Sequence, residues 1–170
     1  MASVGVSPKL VVRFVTDYVP SSVRVQTTSK MWRDLSSMLP AYSVKVVLCE
    51  GPFADWEGTP SQFDAEALKS KTKEKQLRRL RTDFFWSVVK LATAVQKHTP
   101  SLIVGVGQGG LIAAGYAQPL VLEAAMQSRF VPVDDCCTEA AAWGNVRAVV
   151  ISEPRLSKLG LMEEEVSKAV

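Results

Sequence analysis

Four apolar, β-branched runs recur along the chain: Leu10–Val15 (LVVRFV), Val44–Cys49 (VKVVLC), Leu102–Val106 (LIVGV) and Val146–Ile151 (VRAVVI). Each is too short for a helix, and polar or turn-forming residues follow, such as Thr16-Asp17, Glu50-Gly51-Pro52 and Glu153-Pro154. This pattern predicts buried strands. Phe130–Val133 is read as a further, shorter strand. Between the runs the period changes. Leu77, Leu80, Phe84, Val88, Leu91 and Val95 are spaced 3, 4, 4, 3 and 4 apart, a continuous helical stripe that Thr99-Pro100 closes. A shorter helix is predicted from a cap at Ser29, carrying Met31, Trp32, Leu35, Met38 and Leu39 and stopping at Pro40. Pro20, Ser21 and Ser22 before it read as a loop. Phe53 to Gln62, with Gly58 and Pro60, reads as a loop or excursion. A small-residue helix runs through Ala113, Ala114 and Ala117. Pro119 interrupts it or starts a new helix at Leu120–Met126.

Strands alternating with helices predict an α/β fold: three layers, with a mostly parallel sheet of four to five strands and helices on both faces. The 170 residues fit a single domain spanning 1–170. Glu163–Val170 looks like an unfinished, uncapped helix, so a fragment of a longer protein, or a truncated copy of a larger fold, is expected. Composition adds limits. With 47% hydrophobic and 22% charged residues, collagen, low-complexity disorder and a disulfide scaffold are excluded. The net charge of +3 is too small to demand nucleic acid or an anionic membrane as partner. The three cysteines, Cys49, Cys136 and Cys137, fit a reducing compartment, no secretory signal is expected from Met1 to Leu10, and no apolar run reaches membrane length. The expected location is intracellular, in the cytoplasm.

The stretch with most chemical potential is Leu102 to Leu111, in which Gly105-Val106-Gly107-Gln108-Gly109-Gly110 joins a strand to a helix. Such a turn aims backbone N–H groups at a helix N-terminus, a natural site for a small anionic ligand. The same glycines also serve if helix and strand merely need to pack closely.

The order of features resembles the core of the α/β-hydrolase superfamily over roughly residues 10 to 155. Leu10–Val15 resembles the strand before the oxyanion turn, and Trp32, Leu35 and Leu39 resemble the first helix. Val44–Glu50 with Gly51-Pro52 resembles the next strand, and Phe84–Val95 the helix before the nucleophile. Gly105 to Leu111 resembles the nucleophile elbow G-x-S-x-G-G, and Val146–Ile151 the strand after it. Gly107 stands where the resemblance expects serine, so no acyl-enzyme chemistry is implied. The chain ends before the acid and histidine that the resemblance expects. His98 precedes the elbow, the wrong order for the base, and Asp17-Tyr18 stand where the family carries His-Gly. The resemblance implies a non-catalytic domain with no catalytic residue, acting as an interaction or structural module for a protein partner.

Two other families share parts of the pattern. Gly105-x-Gly107-x-x-Gly110 matches the Rossmann fingerprint, with Asp134 or Asp135 as the candidate ribose ligand. That alternative makes a nucleotide or dinucleotide the cofactor, held by Gly105, Gly107, Gln108, Gly109 and Gly110. Val104–Leu111 also resembles the V-G-x-x-R-G-G-L loop of phosphoribosyltransferases, with Gln108 for arginine. Val133-Asp134-Asp135 resembles the start of their diphosphate-sugar motif, without the phosphate loop.

The basic run Lys69, Lys71, Lys73, Lys75, Arg78, Arg79 and Arg81 reads as the solvated start of the long helix. A further alternative uses Lys71, Lys75, Arg78 and Arg79 as a salt-sensitive nucleic-acid contact in a mobile-element polyprotein. It accompanies a resemblance of Trp32 to Gly110 to segments of retroelement polyproteins, to which no motif attaches. No metal site is predicted: Glu50, Asp55 and Glu57 share a loop without ordered ligand spacing. Cys49 reads as a small core residue, His98 as a helix-end residue, and the four tryptophans as core or edge residues.

Overall fold

Branched side chains favour the pleated backbone, and the four apolar runs assemble into one parallel sheet. The computed structural model describes residues 9–15, 21–54, 60–64, 72–129, 131 and 146–152. The elements are β1 (Lys9–Val15), α1 (Ser21–Met38), β2 (Ser43–Cys49), β3 (Phe53–Ala54), β4 (Pro60–Ser61), α2 (Lys73–His98), β5 (Leu102–Val106), α3 (Gln108–Tyr116), α4 (Pro119–Met126) and β6 (Ala148–Ser152). The sheet order is β2-β1-β5-β6, and every neighbouring pair is parallel. The fold is a three-layer α/β arrangement with helices on both faces of the sheet.

Strand registers show how the layers form. Val15 faces Cys49 across β1 and β2, and Val15 faces Gly105 across β1 and β5. Ile103 faces Val149 across β5 and β6. Val15, Cys49, Ile103 and Val149 therefore share one face of the pleat. That face meets Val88, Leu91 and Val95 of α2, Ile112 and Tyr116 of α3, and Leu122 and Ala125 of α4 in one core. On the other side, α1 packs along β2, where the Trp32 indole N–H donates to the Val44 carbonyl at 3.1 Å.

The path from β1 through α1 to β2 moves one way across the sheet. The path from β2 through α2 to β5 returns past β1, and β6 continues beyond β5. The strand order thus reverses between β1 and β5. In open parallel sheets, ligand crevices lie outside the carboxyl ends of the strands at such a reversal.

Several boundaries differ from the sequence expectation. α1 begins at Ser21, so Ser21 and Ser22 open a helix instead of lying in a loop, and Ser29 sits inside it. A serine after proline is as good a helix start as a turn signal, and only tertiary packing separates the two. The fourth strand ends at Ser152, one residue later than expected. The excursion after β2 contains a minimal antiparallel pair, Phe53 with Ser61 and Ala54 with Pro60. Pro119 begins α4, where its missing N–H costs no helical bond. α2 ends at a left-handed Thr99 (φ 42°), with Pro100 fully buried behind it. Of Phe130–Val133 only Val131 is described, as a buried bend, and Glu163–Val170 lies outside the described residues. Among the described residues no helix is long and apolar enough to cross a membrane.

Helix α3 crosses the end of β5 at very short range. A Cβ at Gly105 would lie 2.5 Å from the Gly109 carbonyl oxygen and 2.9 Å from the Gly110 Cα, both backbone atoms that cannot swing aside. A Cβ at Gly115 would instead meet the Phe84 ring, at 2.4 Å. Gly105→Ala is expected to destabilise the domain by about 2–3 kcal/mol through overpacking. Gly115→Ala should cost less, because a ring can tilt and alanine favours the helix by about 1 kcal/mol. Urea midpoints for the two variants, at unchanged m-value, check this ordering.

Candidate functional site

The candidate site is the turn between β5 and α3, at the carboxyl end of the sheet beside the strand-order reversal. Gly107 caps α3 with φ 60° and ψ −126°, a conformation that L side chains rarely adopt and glycine reaches freely. Two N–H groups of the turn are engaged within the protein. Gly107 donates to the Ser152 carbonyl of β6 at 3.2 Å, and Gly110 donates to the Gly107 carbonyl at 3.0 Å. Gly105, Gly107, Gly109 and Gly110 are all buried.

Gln108, the first residue of α3, is buried and polar, and its partner comes from the excursion after β2. Ser61 Oγ donates to Gln108 Oε1 at 3.4 Å and accepts the Phe63 N–H at 3.3 Å. The excursion closes on itself at its base. A Cβ on Gly51 would lie 1.8 Å from the Ser61 carbonyl oxygen, so only glycine lets the two backbones touch.

Helix α2 holds this excursion with three polar side chains at i, i+4 and i+7, which share one helical face. Asp83 Oδ2 accepts the Asp64 N–H at 3.0 Å. Ser87 Oγ donates to the Gln62 carbonyl at 2.6 Å. Lys90 Nζ donates to the Gly51 carbonyl at 3.1 Å. Phe63 adds an apolar anchor, 5% exposed within the core, and Phe53 stacks edge-on against Trp86 with ring centroids 5.2 Å apart. Residues 61–64 therefore form a strap joining the start of α3 to the middle of α2.

Sequence reasoning missed this strap and its anchors. The predicted stripe on α2 took in Leu80, Val88, Leu91 and Val95, all buried, with Leu77 and Phe84 half-buried. Asp83 and Ser87 lie beside that stripe and are buried as well. The signal available was their spacing with Lys90.

The basic run divides. Lys69 and Lys71 lie outside the described residues. Lys75, Arg78 and Arg79 are exposed along the first turns of α2. Arg78 pairs with Glu74 at 3.1 Å, Arg79 approaches Asp64 at 4.0 Å, and the Arg81 guanidinium lies 5.3 Å from the Phe85 ring centroid. Asp134 and Asp135, Asp55 and Glu57, Cys136 and Cys137, Trp56 and Trp143, and Asp17 and Tyr18 also lie outside the described residues. Cys49 is buried in the core. It also lines a cavity of about 300 Å³ with Leu48, Glu50, Lys90 and Ala94, at the carboxyl end of β2. His98 ends α2, next to the start of β5 and so at the opposite edge of the sheet from Gly107. Among the described residues no group of three or more His, Cys, Asp or Glu is placed to hold a metal ion.

No protein-family model, no curated protein and no solved structure matches the chain.

Burial pushes the Asp83 carboxyl up to about 6, against the opposing hydrogen bond from the Asp64 backbone. The Asp64 carboxylate adds to the rise and Arg79 counters it. The folded protein thus holds this proton more tightly than the unfolded chain does. The group's contribution is most favourable at low pH and is lost as pH rises from about 4 through about 6. Asp83→Asn keeps an acceptor for the Asp64 N–H and never ionises. It is expected to gain on the order of 2 kcal/mol over the wild type at pH 8 and almost nothing at pH 4. Urea unfolding of both proteins across that range measures the difference.

Proposed function

We propose that this domain is a catalytically silent α/β-hydrolase-like module that serves as an interaction or structural unit for a protein partner. The observation that carries the reading is Gly107. It occupies a sharp strand-to-helix turn at the carboxyl edge, φ 60° and ψ −126°, where the resembled family places its nucleophile. Glycine supplies the geometry of that turn and no oxygen to attack with. The order β2-β1-β5-β6, with the turn after β5, supports the comparison.

The surrounding chemistry agrees with silence. A nucleophilic hydroxyl needs a base within hydrogen-bond reach. Ser61 Oγ is directed to an amide oxygen, Gln108 Oε1, which does not serve as a base at neutral pH. The chain's one histidine, His98, ends the helix that leads into the opposite edge of the sheet.

A second reading, nucleotide binding by Gly105–Gly110, is favoured by the position of the turn at the strand-order reversal. Against it, the Gly107 and Gly110 N–H groups bond to Ser152 and Gly107 carbonyls. The close approach of α3 to Gly105 already accounts for that glycine as a packing requirement.

Two assays on the purified chain separate the readings. A fluorophosphonate probe and short p-nitrophenyl esters are expected to give neither labelling nor turnover above a protein-free blank. Covalent labelling of any residue of the folded chain would refute silence. Thermal melts with ATP, NAD and FAD are expected to show no shift. A ligand at 100 times its Kd would stabilise by about 2.7 kcal/mol, and such a shift would transfer the turn to the nucleotide reading.

A further inference from the structure

The strap at residues 61–64 has a fastening that can change state. Three α2 side chains bind excursion backbone, and two of them are donors: the Ser87 hydroxyl to the Gln62 carbonyl and the Lys90 ammonium to the Gly51 carbonyl. The third is the Asp83 carboxyl on the Asp64 N–H, inside a site where Asp83 is 7% exposed. From the same strap, Ser61 reaches Gln108, the residue after Gly107. Whatever loosens Asp64 from Asp83 therefore acts on the segment that touches the glycine turn.

We propose that residues 61–64 are a releasable strap over the glycine turn, latched to α2 through the Asp83 carboxyl and released when that carboxyl loses its proton. The protonated carboxyl is neutral and sits in its buried place at little cost. The carboxylate must stay there with most of its hydration removed. Among the described residues, the charged groups acting on it are Asp64 from the strap and Arg79 one turn earlier on α2. Asp64 repels it. Arg79 attracts it, but at 57% side-chain exposure, with Asp64 4.0 Å away, its charge is shared and screened. Opening the strap lets water reach the carboxylate and separates it from Asp64.

The direction follows from linkage. Burial outweighs the Asp64 N–H bond, which favours the carboxylate, and raises the Asp83 pKa to about 6, so closing the strap takes up a proton where the opened, hydrated carboxyl is ionised. Opening is then favoured increasingly from about pH 4 to about pH 6 and levels off above. This latch does not depend on what the domain binds, or on whether its turn is silent.

Amide hydrogen exchange by NMR on the whole chain tests the proposal, with rates corrected for the intrinsic pH dependence. The opening constant at the Phe63 and Asp64 amides is expected to rise about tenfold between pH 5 and pH 8. The amides of Leu91 and Val104 should stay slower than the strap at each pH, which marks strap opening as local. Asp83→Asn should abolish the pH dependence. Asp64→Asn keeps the backbone donor, removes the repelling carboxylate, and should move the midpoint to lower pH. Ser87→Ala should raise opening at every pH by a similar factor, leaving the midpoint in place. The Gln108 side-chain amide signals should shift with the wild-type midpoint and stay fixed in Asp83→Asn. A pH-independent strap in the wild type, or an equal rise in Asp83→Asn, overturns the latch. Strap and core amides opening together overturn the separate strap. A Gln108 signal indifferent to strap opening overturns its link to the turn.

Discussion

Helix α3 leaves the end of β5 with no room for a Cβ at Gly105, and much of the domain's arrangement follows from that contact. A helix that starts this close to its strand must turn sharply, and Gly107 makes the turn at φ 60°. The turn sends α3 back over β5 and β6, so Ile112, Ala113 and Tyr116 are fully buried. Those residues meet α2 and α4 in the core that covers this face of the sheet. Widening the turn by one side chain would lift α3, and interiors packed to crystal density resist such shifts. The glycines are thus structural requirements before any chemistry is considered.

The strap introduces a second dependence, between polar groups. Apart from the short β3–β4 pair, the described residues between β2 and α2 lie outside the four-stranded sheet. Buried backbone groups need partners, and α2 supplies them from side chains. Asp83, Ser87 and Lys90 each take one backbone atom of the segment between Gly51 and Asp64. Phe63 supplies the apolar share, and Gly51 lets the excursion close at its base. An ionisable group in this set carries a penalty that an amide would avoid. The Asp83 carboxyl therefore ties the fastening of the strap to proton concentration, whereas Ser87 holds it in the same way at any pH near neutrality.

The sheet was legible because its signals are local. β-Branched runs of five or six residues bounded by turn residues yielded four strands within two residues of their observed limits, and the stripe from Leu80 to Val95 yielded the core face of α2. The start of α1 was not legible, since Pro20-Ser21-Ser22 carries both a turn signal and a helix-start signal. The strap was invisible for a different reason. Ser61 and Gln108 are 47 residues apart, and Ser87 and Gln62 are 25 apart. Their pairing depends on how the excursion folds back, which no periodicity encodes. Asp83 and Ser87 lie at the border of an apolar stripe, where polar residues ordinarily mark the solvent side. The glycine turn was legible as a place, while its geometry emerged only with the fold: Gly105 is fixed by helix approach and Gly107 by its positive φ.

These two dependences bear on how a turn of this shape can persist without a nucleophile. Where such a turn carries a reactive side chain, the strain of its backbone is tolerated because chemistry depends on it. Glycine at position 107 takes up this geometry without strain and carries no reactive side chain. What then keeps the geometry is packing: the Gly107 N–H bonds to β6, the Gly110 N–H bonds to Gly107, and Gly105 lies under α3. The Ser61 hydroxyl on Gln108 adds a tie from the far side of the strap. A turn held from both sides is a rigid platform at the carboxyl edge, and the strap beside it is the part of that edge whose fastening titrates. The surface offered there consequently has one fixed component and, under the proposed latch, one that responds to protons.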